Sequence, residues 1–338
     1  MNSIFAKRAL ALAAATALLF SLGCGQASAE EKATEDTSPE IVAVDGGTSD
    51  TATTGGEANA SYAGIYHVDA TTDESESGSY ASSTASENTV LVENAGKLTM
   101  SSADINKTGD AEDGFSAGTN AAVAVVSAGQ MTLAASNITT NALGGFGLFA
   151  SGAGSVLTAD TSYIYTSGES SPALVVQDGG TILLTGGTLA TEGGDSPCLL
   201  LGGGSVTLSG VTLSATSGEA LRVLSGANEL KLDNTALAAK PILAEGSTLK
   251  LNLLNGASFT GELGATLPAK ASVSLDAASK LILTADTNLV YLVNADTTHQ
   301  NIQSNGFSIF YDSNAPENAY LESQSFALPG GGYLTPII

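Results

Sequence analysis

The segment GDAEDG, Gly109 to Gly114, gathers Asp110, Glu112 and Asp113 on one glycine-flanked loop. Three carboxylates so placed can offer oxygen ligands to Ca²⁺, a hard cation. The segment has neither EF-hand spacing nor the Gly-Gly-x-Gly-x-Asp repeat of calcium β-rolls, so a solvated acidic loop is the simpler reading. Glycoside hydrolysis needs two carboxylates roughly 5 to 9.5 Å apart across a cleft. Glu169 with Glu192 or Asp195 could meet that demand if successive segments stack. All three sit in Gly/Ser-rich corners, where solvated acids are ordinary. Cys198 lies in the apolar run PCLLL and reads as a small buried filler. A catalytic thiol wants a histidine nearby. The chain has only His67 and His299, each isolated along the sequence, which also argues against zinc. Past the leader the one arginine is Arg222, three residues from Glu219, which reads as an ion pair or a solvated cation. The sequence therefore assigns no catalytic residue, no cofactor and no resident metal, with Asp110, Glu112 and Asp113 the one candidate set for calcium.

The elements that would position such groups begin after a leader. MNSIFAKRALALAAATALLFSLGCGQASAEE has a charged start at Lys7 and Arg8 and an apolar stretch from Ala9 to Phe20. That stretch is too short to span a bilayer and reads as an export signal, residues 1–23. LGC ending at Cys24 resembles a bacterial lipobox, with Ser21 where such boxes usually carry Leu. Cys24 is then the lipidated first residue and the only membrane attachment. ASA at Ala27 to Ala29 offers the alternative, cleavage after 29 and full secretion. The 338-residue chain has 11 Lys+Arg against 34 Asp+Glu, net −23, and losing Lys7 and Arg8 takes this to −25. Such a field repels nucleic acid and anionic membranes. Residues 24–60 are rich in Glu, Asp, Thr, Ser and Gly, bury too little to offset ordering entropy, and read as a disordered tether.

Residues 61–88 read as an N-terminal opening strand and cap, with the acidic run Asp73 to Glu76 as solvated loop. From Thr89 the chain repeats itself. SPALVVQDGGTILLTGGTLATEGGD, Ser171 to Asp195, is followed at once by SPCLLLGGGSVTLSGVTLSATSGEA. Leu98, Met131, Val156, Ile182, Val206 and Leu230 occupy comparable places, separated by 33, 25, 26, 24 and 24 residues. A fixed period of this size marks a repeat architecture. Apolar residues alternate with Thr and Ser in short runs bounded by Gly, Asn and Asp, so the units are strands. Three strands and three turns fit each period at ~3.3 Å per residue. The prediction is an all-β parallel β-helix, a solenoid of three strands per coil, over residues 89–288. Seven or eight coils would give a rod of roughly 35–40 Å at the spacing of neighbouring strands. Flat Thr arrays on such rods can order water, but no Thr-x-Thr series persists between coils here. Residues 289–338 concentrate aromatics and read as a C-terminal β cap, with SNG as a tight turn before FSIFYD and FALPGGGYLTPI as a hairpin-like ending.

The repeats, NIQSNGFSIFYD and GGGYLTP resemble those of exported bacterial adhesin-like proteins with a right-handed parallel β-helix, which share the pectate lyase-like superfold. The resemblance covers Thr89 to the end. It implies surface exposure and contact with an extracellular glycan or a host or cell-surface ligand, and it carries no assigned reaction. A lyase of that superfold would need several acids on one strand face to hold Ca²⁺ and a Lys or Arg to take the proton. Glu93, Asp178 and Glu245 lie far apart in coil number, so a non-enzymatic, monomeric display rod is the expectation. A polysaccharide lyase or hydrolase and a purely structural envelope protein are the alternatives.

Overall fold

The computed structural model describes residues 61–112, 117–216, 219–264, 268 and 270–337. The export signal, Cys24 and the acidic tether lie outside the described residues, as does Asp113.

The described chain is an all-β parallel solenoid of about 11 turns. At the usual strand spacing, that is a column about 50 Å long. The first face holds eight parallel strands, from Gly64–Asp69 to Ile242–Leu243. The second runs from Thr72–Ser82 through Gln130–Ala134, Thr181–Thr185 and Thr248–Leu254 to Tyr333–Ile337. The third includes Asn137–Thr140, Tyr163–Thr166 and Thr188–Thr191, and continues as a four-stranded sheet ending at Ile302–Gln303. Thr72–Ser82 and Lys97–Lys107 each round the corner and serve both the second and third faces.

The corner between the second and third faces repeats one backbone device. Ser102, Ala135, Thr161, Gly186, Gly210, Asn234 and Asn255 all have positive φ, from 45° to 64°. One left-handed residue per coil turns the chain, and Gly and Asn meet that demand at low steric cost.

Between corners, alternate residues face inward and stack on their equivalents. On the second face the column is Leu98, Met131, Leu157, Ile182, Val206 and Leu230. Each is at most 2% exposed. Full burial of such a side chain contributes about 1.5–3 kcal/mol, which is why a chain poor in aromatics can hold so narrow a core. The expected alignment placed Val156 in this column. The register instead puts Leu157 there and Val156 on the outward side, beside Gln130.

The Ser-Pro that opens each copy is a staple. Ser171 Oγ accepts the Gly145 N–H at 3.0 Å and donates to the Ala142 carbonyl at 2.6 Å. Ser196 Oγ, one coil on, accepts the Ser171 N–H at 2.9 Å and donates to the Gly168 carbonyl at 3.0 Å. At the first corner the Gly145 N–H and the Ala142 carbonyl also bond each other at 3.1 Å, whereas at the second the Ser196 hydroxyl is the partner of the Ser171 N–H and the Gly168 carbonyl. Ser196→Ala is expected to cost about 1–3 kcal/mol, because a buried donor and acceptor lose their partner together. Hydrogen exchange should accelerate at Ser171 and leave the second-face strands unchanged.

Both ends depart from the apolar code. In the opening coil the inward positions include Tyr66, Asp73, Ser75 and Tyr80. Asp73 is in register with Leu98, Ser75 with Met100 and Tyr80 with Ile105. The Tyr66 hydroxyl donates to Asp73 Oδ2 at 2.6 Å, Ser75 and Tyr80 share a hydroxyl bond of 2.6 Å, and the two rings meet edge to face. The bond to Asp73, helped by burial, pushes the Tyr66 phenol up to about 12. Residues 64–82 thus form a coil with polar inward positions, and Asp73–Glu76 lies within a strand rather than a loop. At the other end the second face gains Thr287–Asn294, Ile309–Asp312 and Tyr333–Ile337, the last closed by an antiparallel pairing with Phe326–Ala327. Asn305 and Gly306 make the expected turn, both at positive φ. These added coils carry the count past the seven or eight read from the repeats.

Candidate functional site

The three outward sides differ. On the first face, Leu91, Ala124, Phe149, Val175 and Leu200 form one outward column, and all are buried. They belong to a second apolar cluster against which Tyr62 packs. The backbone of Gly118 lies so close to the Phe149 ring that a Cβ there would overlap it.

The second face is polar outward. Thr99, Thr132 and Thr158 stand in one row, interrupted by Leu183 and resumed at Thr207. The row continues as Lys231, Asn252 and Ser274 into an open groove of about 480 Å³. Glu229 is held there by Asn252 at 2.7 Å and Lys250 at 3.4 Å. Asp276, on the groove wall, is pushed up by burial, but N–H donations from Asn255, Ala278 and Ser279 outweigh this and hold it below the usual carboxylate range. It therefore stays ionised and is not a proton donor at neutral pH.

The third face carries the aromatic feature. Strand Tyr163–Thr166 alternates, sending Ile164 into the core and Tyr163 and Tyr165 outward. Their rings stack within 12° of parallel, with centroids 6.2 Å apart. Tyr163 is 43% exposed. In the preceding coil Asn137 and Thr139 stand in register with the two tyrosines, and Asn137 donates to Asp104 Oδ1 at 2.7 Å. In the following coil the partners are the smaller Thr188 and Ala190. The Tyr165 hydroxyl donates to Glu192 Oε2 at 2.6 Å, and that bond holds the phenol above its ordinary range. The sheet thus presents two aligned phenol rings bordered by an amide, carboxylates and hydroxyls. Planar polar groups can bond vicinal hydroxyls, while a ring offers its face to an apolar surface.

The residues singled out from sequence fall elsewhere. Glu192 serves Tyr165, and Asp195 bonds Arg222 Nη2 at 2.6 Å, so these acids have separate partners. Arg222 also pairs with Glu219, and the latter bond is the main reason its guanidinium is held above the usual value. Asp178 accepts from Ser151 at 3.2 Å. Asp110 accepts the Leu143 N–H at 2.8 Å, tying its loop to the next coil. Cys198 is fully buried, as expected, and burial pushes its thiol up. His299 is buried against Phe326 at the closing end. His67 is not isolated. Its Nε2 lies 2.8 Å from Glu93 Oε1, and Asp69 stands beside both.

No protein-family model matches the chain, and no curated protein or solved structure matches it. The coil architecture agrees with the expected parallel β-helix fold, and no matched family supports the expected kinship with exported adhesin-like proteins.

Proposed function

We propose that the protein is a non-enzymatic surface rod, exported and lipid-anchored at Cys24, that binds extracellular carbohydrate on its third face. The observation that carries this reading is the stacked Tyr163–Tyr165 pair on a rigid strand. Two outward tyrosines on neighbouring same-side positions bury nothing of their own core. A phenol ring suits a surface that is apolar on one side and wet on the other. Asn137, Asp104 and Glu192 supply the polar rim. Contacts of this kind are individually weak, and a polymer can engage several rods at once. The leader read at residues 1–23 and the acidic tether at 24–60 support display away from a membrane.

The groove beside Glu229 and Asp276 favours a second reading, a polysaccharide-active enzyme. The polar partners already held by both acids weigh against it.

The test is binding of the purified full chain to an array of soluble and insoluble glycans, with cleavage of the same polysaccharides assayed in parallel. Tyr163→Ala is expected to weaken glycan retention about tenfold, equivalent to about 1.4 kcal/mol, while leaving the circular dichroism unchanged. Measurable chain cleavage would overturn the display reading, and unchanged binding in Tyr163→Ala would overturn the assigned face.

A further inference from the structure

The opening coil brings together three side chains that the sequence keeps apart. His67 and Asp69 are two residues apart on strand Gly64–Asp69 and so project from the same side. Glu93, in the next coil, is the register partner of Asp69. One ligand atom from each of the three lies within 4.8 Å of the others, and all three residues reach solvent. Asn94 Nδ2 donates to Asp69 Oδ1 at 2.8 Å and so orients that carboxylate.

We propose that His67, Asp69 and Glu93 bind a zinc-class divalent cation that clamps the first coil to the second. The donor set is one imidazole nitrogen and two carboxylate oxygens, a mixture suited to zinc and its borderline neighbours rather than to calcium, which takes oxygen alone. Donors sharing one zinc ion at the usual bond lengths lie roughly 3–3.5 Å from one another. The His67–Glu93 pair, now bonded at 2.8 Å, would part slightly and the Asp69 carboxylate would approach them, through rotation of the exposed His67 and Asp69 side chains and the half-buried Glu93. Three protein ligands leave a position for water. An orienting bond to a coordinating carboxylate, as Asn94 provides, is the usual outer support of such a site.

The site has a structural consequence. Among the described residues, strand Gly64–Asp69 pairs with Asn88–Glu93 and stands at the end of its sheet. Terminal repeats of a solenoid have one neighbour instead of two and open first. A cation held by both strands adds a link at that place, so binding should stabilise the end coil selectively.

The experiment uses the full chain stripped with chelator and titrated with Co²⁺ as a spectroscopic probe, then with Zn²⁺ in competition. One equivalent should bind, and Zn²⁺ should slow amide exchange across residues 64–69. His67→Ala and Glu93→Gln should each weaken binding at least about tenfold, since even an outer-shell partner contributes that much. Asn94→Gly, which keeps the left-handed backbone, should weaken it roughly tenfold. Glu112→Gln, an acid outside the cluster, should bind as the parent does. Circular dichroism of each variant separates loss of binding from loss of fold, and His67→Gln replaces His67→Ala if the latter misfolds. The absence of binding by the parent, equal binding in the His67 variant, or displacement of Zn²⁺ by equimolar Ca²⁺ would overturn the proposal.

Discussion

Tyr311→Ala is expected to unravel the C-terminal coils while leaving the middle of the solenoid folded. Tyr311 is the largest fully buried side chain among the described residues. It stands inward on the second face, in register with Leu289 before it and Pro336 after it. Its hydroxyl donates to the Gln324 carbonyl at 2.8 Å and so ties the strand to the segment that leads into Phe326–Ala327. Removing a buried aromatic side chain costs about 3–5 kcal/mol, and the carbonyl left without a donor adds about 1–3 kcal/mol. In a stacked chain each coil is stabilised by its neighbours, so a defect at the end spreads inward only as far as the local interfaces fail. Amides from Ile302 onward should lose protection, whereas those of the coils around Leu184 and Leu208 should keep theirs. Frayed strands expose unpaired backbone and invite edge-to-edge association, so the variant should also aggregate on mild heating. Tyr311→Phe keeps the ring and should lose only the smaller, hydroxyl-dependent part. Uniform loss of protection along the whole solenoid, or a midpoint within error of the parent, would refute this account of how the end is closed.

The same contrast between middle and ends governs what the sequence discloses. In the central coils the inward column of the second face is Leu, Ile, Val or Met at nearly even spacing, and the fold is legible from that alone. Where SVLTAD offers two adjacent apolar residues, alternation cannot choose between them, and the backbone register decides for Leu157. At the opening coil the inward positions hold Asp73 and Ser75, whose hydrogen-bonding needs are met by tyrosines. No apolar period survives there, and the acids resemble a loop. Side-chain communities across coils are the least legible of all. Asp104 and Asn137 are 33 residues apart, and His67 and Glu93 are 26 apart. Their meeting depends on the exact length of each coil, including the longer interval around Asp110. The outward Thr row is hidden for the same reason. Thr99, Thr132, Thr158 and Thr207 lie on one line only once unequal coil lengths are superposed. Tyr163 and Tyr165, by contrast, could be placed outward from YIYT once Ile164 is assigned to the core. What strand alternation does not convey is which neighbours flank them.

Gly193→Ala tests the stacking itself, in the corner where the two copies of the repeat meet. Gly193 follows Glu192, whose N–H donates to the Thr166 carbonyl at 2.9 Å, and precedes the Ser196 staple. Its backbone passes directly over the Gly168 carbonyl, and a Cβ at Gly193 would overlap that oxygen. Gly168 stands in the same relation to the Ala142 carbonyl one coil earlier. The glycines are therefore required by the close approach of successive backbones, at a corner where the left-handed conformation is not the reason, since neither has positive φ. An added methyl cannot rotate away, and the opposing atom is backbone. Overpacking of this kind costs typically about 1–3 kcal/mol. The coil can relieve the overlap only by lifting away from its neighbour, which stretches the Ser196 bonds to Gly168 and Ser171. Loss of those bonds adds about 1–3 kcal/mol. The variant should unfold at lower denaturant than Ser196→Ala, and the two changes combined should cost less than their sum, because both act through the same carbonyl. Strict additivity of the pair, or a Gly193→Ala protein as stable as the parent, would show that coils at this corner are not in the close register on which the whole column depends.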